Sequence, residues 1–391
     1  MPVDLFVSAL PGDLRAAVRR DDLLQDLVIL RDDAAPQAGD LLLARVQRFD
    51  KGLDGAFVDL GLERPGLLPS RDAPEGIPPE GAPLAVRVTR APAADKGARV
   101  SAKGLDLDPA ALKGLKAPAR LPAGVAPLLA LFETNRPQRV VADDAELLRT
   151  LKSAAAGSDC TFTLHSDALP LFEAEGLEET IEQLLGPRAE LPGGGFLLIE
   201  PGQTLTAIDV NAGRHDGRGG QAAQAREVNL AAVPAIARQL RLRALSGLIV
   251  VDFLAMKGPE DRKAVAAALR NAVADDPEPC QVFGLSPSGL LEMTRRRGRA
   301  PLHELLCRPC GLAGSGREKT PQTLAYEALR HTAAEGLGKV VTSITLRVGP
   351  ATAAALQGPQ KAALEAVERR LGRAIEIAAD PLVAGHELVL G

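Results

Sequence analysis

Two short apolar runs each deliver an aspartate near their end: Thr206-Ala207-Ile208-Asp209-Val210-Asn211 and Gly247-Leu248-Ile249-Val250-Val251-Asp252-Phe253. Both are rich in β-branched residues, bounded by Gly and polar residues, and read as buried strands. A carboxylate at the end of a buried strand is costly to desolvate and must be paired or metal-bound. Neighbouring strands lie about 4.8 Å apart, so Asp209 and Asp252 on adjacent strands could place oxygens around one hard cation. Mg²⁺ or Mn²⁺ suits that donor set, because the ligands are oxygens and no His lies beside either carboxylate. Such an ion can orient and deprotonate water for in-line attack on a phosphodiester. A lone strand-terminal Asp commonly serves as an N-cap or an ion-pair partner. Two on core strands, with Asn211 two residues after the first and Arg-rich loops alongside, favour the metal.

The loop after Asn211 reaches Gly220 and combines five Gly or Ala with Arg214 and Arg218, so it could approach a phosphate closely. No Gly-Lys-Ser/Thr follows it and no Gly-x-Gly-x-x-Gly opens a helix directly after the strand, which excludes nucleoside triphosphate and dinucleotide use. Arg295 and Arg297 could hold flanking phosphates. Cys307-Arg308-Pro309-Cys310 offers two thiolates at C-x-x-C spacing, half of a tetrahedral zinc site, and the chain has no second such pair. A symmetric dimer could supply the other half. A redox pair and an intrachain site completed by His303 are the alternatives.

Composition sets the frame for these sites. With 391 residues, 46% of them hydrophobic, the chain should hold two to four domains with their own cores. The net charge of −4 means that any attraction to nucleic acid is local. Gly213 to Arg243 holds six Arg against Asp216 and Glu227, and Ser286 to Thr320 holds six Arg and Lys319 against three Glu. Aromatics are 3% of residues with no Trp, so base stacking falls to single Phe residues. No apolar run approaches the roughly 20 residues of a membrane span, and no basic segment followed by an apolar one opens the chain. A cytoplasmic protein without membrane association is expected. Cys160 and Cys280 stand alone, which argues against a disulfide scaffold.

Several elements must position these residues. Phe196 to Glu200 reads as a strand, Pro201-Gly202 as a hairpin turn, and Leu205 to Val210 as the returning strand that carries Asp209. A long helix is predicted from about Ala222 to Ala244, kinked or broken at Pro234. Strand 247–253, helix Pro259 to Ala274 and strand Gln281 to Leu285 follow, an order that predicts an α/β sheet. Upstream, Leu41 to Val46, Gly55 to Gly61, Gly66 to Pro69 and Leu84 to Arg90 read as short strands of a small barrel on which Phe57 offers one stacking surface. Residues 1–36 read as a small α/β piece, and Ser101 to Pro137 as a connector with a helical patch at Pro109 to Leu115. Strand Val140-Val141, a helix over Ala145 to Ser153, strand Cys160 to Leu164 and a helix over Glu175 to Leu185 read as scaffold. Beyond Thr320, a helix over Leu324 to Glu335, strand Ile344 to Val348, a helix over Gln360 to Leu371 and strand Ile375 to Ile377 predict a small α/β domain.

The runs Thr206 to Asn211, Asn229-Leu230-Ala231-Ala232, Ile236 to Arg243, Gly247 to Phe253 and Gly289 to Arg295 resemble the catalytic core of the ribonuclease E/G family, densely over about 190–311. Gly55 to Pro69 is similar to that family's OB-type RNA-binding domain, and the flanking pieces to its RNase H-like scaffold. The resemblance implies an α/β multidomain fold: scaffold at 1–36 and 104–186, barrel at 37–103, DNase I-like catalytic subdomain at 187–304, zinc-link at 305–316, and dimerisation domain at 317–391. It implies a Mg²⁺- or Mn²⁺-dependent endoribonuclease that cuts single-stranded RNA. Asp209 and Asp252 would hold the metal, Asn211 would position the scissile phosphate or its water, and Phe57 would help grip RNA. The aromatic expected ten residues further on is Leu67 here. Cys307 and Cys310 match a linker that shares one structural zinc between two subunits of a homodimer, which could pair again into a dimer of dimers. The family's 5′-monophosphate sensor uses an Arg-Thr pair in a loop, and Ala102 to Pro137 is far shorter and lacks one, so little dependence on the 5′ end is expected. Arg149-Thr150 stands in a helical run. No acidic extension follows Gly391, so no scaffold for other decay enzymes is expected. The contrasting reading is a reduced paralogue that binds RNA or ribosome precursors without cutting.

Overall fold

A computed structural model describes residues 2–34, 36–37, 39–92, 97–105, 115–121, 126–213, 221–256, 258–310, 316–337, 339 and 341–391, with the side chains of 126 and 221–223 outside the description. The chain forms two compact units: Asp32–Ala130, and Met1–Arg31 together with Leu131–Gly391. Among the described residues no helix is long and apolar enough to cross a membrane.

The chain opens with an antiparallel meander of β1 (Val3–Leu10), β2 (Asp13–Arg20) and β3 (Leu23–Arg31). The expected α/β piece is therefore all strand up to Arg31. Asp21 and Asp22 take left-handed φ of 48° and 63°, which a two-residue hairpin turn demands and which Asp tolerates.

The second unit contains β4 (Leu41–Asp50), β5 (Gly55–Asp59), β6 (Gly66–Pro69), β7 (Pro83–Arg90), β8 (Arg99–Ser101) and β9 (Ala119–Arg120). Pairing runs β5-β6-β8-β7-β4 and closes through β4–β5, a five-stranded OB-like barrel to which β9 adds at the start of β4. Leu42, Ala44, Val46, Val58, Val86 and Val100 fill its interior. The barrel needs residues beyond those its strand pattern suggested, because Ala119 and Arg120 come from the presumed connector. The helical patch expected at Pro109 to Leu115 lies outside the described residues except for Leu115.

The boundary between units falls in α1 (Ala126–Asn135). Then follow β10 (Arg139–Ala142), α2 (Ala145–Ala154), β11 (Thr161–Leu164), α3 (Leu171–Ala174) and α4 (Leu177–Leu185). β10 lies parallel to β1 and β11 parallel to β10, giving a sheet ordered β11-β10-β1-β2-β3.

The third sheet carries the two aspartates. It is built from β12 (Arg188–Glu190), β13 (Phe196–Pro201), β14 (Leu205–Asn211), β15 (Gly247–Asp252), β16 (Cys280–Leu285) and β17 (Leu290–Arg295) in the order β12-β13-β14-β15-β17-β16. Helix α5 (Gln221–Leu242) joins β14 to β15, and α6 (Pro259–Ala272) joins β15 to the edge strand β16. Alternation decides which side chains face them. Ile208, Val210, Ile249, Val251, Leu291 and Met293 are buried in one core with Val233, Ile236, Leu240 and Leu269 of the helices. The alternate residues form an open face, on which Ala207, Asp209, Leu248 and Asp252 are exposed. α5 continues past Pro234 without ending, so of the predicted kink or break the break does not occur.

After α7 (Leu302–Leu306), the ribbon β18 (Cys307–Cys310) and β19 (Gly316–Lys319) leads into α8 (Pro321–Gly336), β20 (Ile344–Val348), α9 (Pro350–Gln357), α10 (Lys361–Leu371), β21 (Glu376–Ala379) and β22 (His386–Leu390). Leu346 and Val348 of the small sheet β21-β20-β22 pack on Leu329, Leu356 and Val367. α8 also ties this part to the first sheet. Its buried Arg330 donates to Asp13 Oδ2 at 2.9 Å and Ser8 Oγ at 3.0 Å. Burial alone would raise the Asp13 carboxyl, but Arg330, Arg15 and Arg31 hold it below its ordinary value.

Candidate active site

β14 and β15 run parallel with Asp209 directly opposite Asp252, so both carboxylates leave the open face one strand spacing apart. That spacing is about 4.8 Å between backbones, within the span of one cation's oxygen ligands. The sequence reading of these strands as buried is corrected here: only alternate residues are, and both aspartates are exposed. Their charge therefore needs no internal partner. Among the described residues neither carboxylate makes an ion pair with Lys, Arg or His. Asn211, two residues on and hence on the same face, donates from Nδ2 to Asp209 Oδ2 at 2.8 Å. Its strand partner is Phe196, while Leu198 lies opposite Asp209 and Leu290 opposite Asp252. Two adjacent carboxylates facing water, one oriented by an amide, fit a hard ion that keeps several waters and takes one or two carboxylates from the protein. Among the described residues no group of three His, Cys, Asp or Glu side chains could hold a metal, so the rest of such a shell would be water and substrate oxygens.

The loop behind Asp209 fits closely. Gly213 has φ of 59°, and a side-chain carbon there would sit 2.0 Å from the Gly194 carbonyl, so only Gly lets the strand exit pass the Gly193-Gly194-Gly195 turn. Arg214 and Arg218 lie outside the described residues.

Asn229 is the residue that sequence reasoning missed. Fully buried on α5, it donates from Nδ2 to the Leu254 carbonyl at 2.9 Å and accepts from the Leu254 N–H at 3.0 Å. This clamp fixes the chain just after Asp252. The available signal was an Asn on the otherwise apolar face of a predicted helix, since a buried amide must find partners.

The expectation for Arg295 does not hold, and Arg297 stands away from the carboxylates. Because β17 is antiparallel to β15, Leu290 lies beside Asp252 and Arg295 beside Gly247. That is five residues down the strand, roughly 17 Å from the carboxylates. Arg295 is also only 3% exposed, with its guanidinium bidentate on Asp276 at 2.8 and 3.0 Å and a third bond to the Leu245 carbonyl. It braces the fold and has no surface to offer a phosphate. Arg297 is exposed, but it reaches Ser246 at that same far end. In the basic stretch at the end of α5, Arg241 bonds Asp26, and Arg243, just past the helix and 4% exposed, bonds the Gly186 carbonyl. Burial pulls the Arg243 guanidinium down to about 10.

Residues 126–298, the segment that contains every group of this site, match the sequence model of the Ribonuclease E/G family. By this match the chain is similar to the ribonuclease E/G family over just under half of its length. It is 26% identical to Ribonuclease G of Salmonella typhimurium (strain SL1344) and 27% identical to Ribonuclease G of Escherichia coli (strain K12), in each case over 98% of both chains. The Escherichia coli alignment spans 479 positions against 391 residues here, so that relative carries segments without a counterpart in this chain. Ribonuclease E of Escherichia coli (strain K12) is 34% identical over 58% of this chain and 22% of its own length.

Two further features lie away from the carboxylates. On the barrel, register places Arg48, Phe57, Leu67 and Arg99 side by side across β4, β5, β6 and β8. The Arg48 guanidinium stands 4.7 Å above the Phe57 ring. The surface at the expected stacking position is therefore Phe57 beside Leu67, with an Arg at each end. In the ribbon, Cys307 and Cys310 are free thiols, both half-buried. Cys307 packs into the core of the first sheet, and burial raises its thiol above the ordinary value. Alternation along β18 directs residues three apart to opposite faces, so joint ligation of one ion asks the Arg308-Pro309 segment to turn. Among the described residues His303 does not complete a cluster with them.

Proposed function

We propose that this protein is a divalent-metal-dependent endoribonuclease that hydrolyses phosphodiester bonds of single-stranded RNA in RNA processing or decay. The observation that carries this reading is the pairing of Asp209 with Asp252 on adjacent parallel strands, exposed, without an ion pair among the described residues, and with Asp209 oriented by Asn211. Asp209 and Asp252 bind Mg²⁺ or Mn²⁺ through their carboxylate oxygens. The ion supplies activation of water and neutralises charge on the phosphate in the transition state. Asn211 holds the Asp209 carboxylate in one orientation, Asn229 holds the chain beyond Asp252, and the open face admits an RNA strand. Phe57, with Arg48 and Arg99 beside it, grips the strand on the barrel, and Arg214 and Arg218 contact phosphates near the cut.

The remaining assignments follow the family. The sheet β11-β10-β1-β2-β3 supports an RNase H-like scaffold at 1–36 and 104–186 around the OB-type barrel at 37–103, with a DNase I-like subdomain at 187–304. Cys307 and Cys310 supply half of a zinc site in the link 305–316, completed by a second copy, and 317–391 serves dimerisation. The location is the cytoplasm. Arg149 and Thr150 lie exposed on α2, where Thr150 bonds the Glu146 carbonyl, and they form no sensor loop, so 5′-monophosphate and 5′-triphosphate forms of one RNA are cut at rates within about twofold.

The test is an A/U-rich single-stranded RNA incubated with the protein in Mg²⁺, in EDTA, and beside Asp209→Asn and Asp252→Asn. Cutting that needs the metal and falls by more than about a hundredfold in both variants supports the reading. Binding without cutting by the wild type favours the non-cleaving paralogue, and undiminished cutting by both variants overturns the roles given to the carboxylates.

A further inference from the structure

The open face of the catalytic sheet carries two aromatic side chains that the mechanism does not use. Phe196 lies across from Asn211 on the neighbouring strand and so shares the face of Asp209. The Arg188 guanidinium lies over its ring with its central carbon 3.7 Å from the centroid, and Glu190 holds the edge of that guanidinium. The Arg188 side chain is 52% exposed. On the other side of the carboxylates, Phe283 of β16 is 54% exposed. Phe283 is the extra residue of a bulge between Val282, which pairs with Met293, and Gly284, which pairs with Glu292 of the open face. There it stands beside Glu292, the register partner of Gly284 on one side and Val250 on the other.

We propose that the Arg188–Phe196 stack and Phe283 are base-stacking positions that hold nucleobases on either side of the bond to be cut, and so set where along an RNA strand this protein cleaves. The proposal rests on the reading of Asp209 and Asp252 as the metal-binding pair. Three observations support it. Phe196 is one strand from Asn211, and Phe283 is two strands and one pleat from Asp252, roughly 12 Å, so the rings flank the pair within reach of neighbouring nucleotides. A planar guanidinium and an exposed Phe ring both accept the face of any base. The rings are also separated by Asp209, Asp252 and Glu292, which argues against a protein partner, since interface cores are contiguous and poor in charge.

Single-stranded RNAs with an abasic site at each position around the cut, assayed with wild type, Phe283→Ala, Phe283→Tyr, Phe196→Leu and Arg188→Ala, test this. Phe283→Ala and Arg188→Ala are expected to raise KM about tenfold with kcat within twofold, and Phe283→Tyr to restore it. An abasic site at the matching position should cost wild type the same factor and cost Phe283→Ala nothing further. With 2-aminopurine at that position, Asp252→Asn in Mg²⁺ should quench its fluorescence on binding, and the added Phe283→Ala change should abolish the quench. Unchanged KM in the variants, or abasic losses that simply multiply with theirs, overturns the stacking positions while leaving the endoribonuclease reading intact. A wild type that never cuts overturns that reading instead, and the quench still decides the stacking.

Discussion

Asp209, Asp252 and Asn211 carry the chemistry proposed for this chain, and each is placed by strand alternation rather than by burial. Because both carboxylates face water, their charge costs little in the free protein and remains available to an ion. Other ionisable residues serve the fold, and His303 is the clearest. Burial first, then the nearby Arg317 and Arg243, lowers its imidazole from 6.5 to about 4. An unfolded chain takes a proton on this His below about 6.5, whereas the folded protein resists until about 4, so between those values stability falls as the pH falls. Urea midpoints measured from pH 7 to pH 4.5 should decline for wild type and decline less steeply for His303→Gln. Parallel curves would show that His303 contributes nothing to the dependence.

At the scale of elements, the site depends on β14 and β15 keeping their register and on α5 holding the end of β15. Asn229→Ala removes the clamp and leaves both the N–H and the carbonyl of Leu254 without their partner, a loss of about 1–3 kcal/mol in unfolding free energy that denaturant titration would reveal. An unaltered titration would mean that water replaces the amide at no cost. The sequence made the hairpin at Pro201-Gly202, the long helix, the barrel strands and the two aspartates legible, because periodicity and turn residues are local signals. Which strands are neighbours is not local. The antiparallel return of β17 moved Arg295 and Arg297 to the far end of β15, and alternation turned Arg295 inward onto Asp276. Likewise β9 joined the barrel from a stretch with no strand pattern of its own, and a continuous apolar run such as Gly247 to Val251 concealed that one face of it is open.

For the whole molecule, the ribbon of Cys307 and Cys310 makes assembly and metal content a single question. With zinc shared between two copies, the wild type should contain about one zinc per two chains and elute as a dimer, while Cys307→Ser with Cys310→Ser should lose the zinc and elute as monomers. A zinc-free dimer would reject the link. The proposed catalytic ion would be separate from that zinc and bears on the account as a whole, and its most direct measurement is Mn²⁺ binding followed by electron paramagnetic resonance on the protein supplied with zinc. One Mn²⁺ per chain is predicted for wild type, with affinity about 10- to 100-fold weaker in Asn211→Ala and no binding at this site in Asp209→Asn or Asp252→Asn. Wild-type Mn²⁺ affinity in both Asn variants would contradict the account.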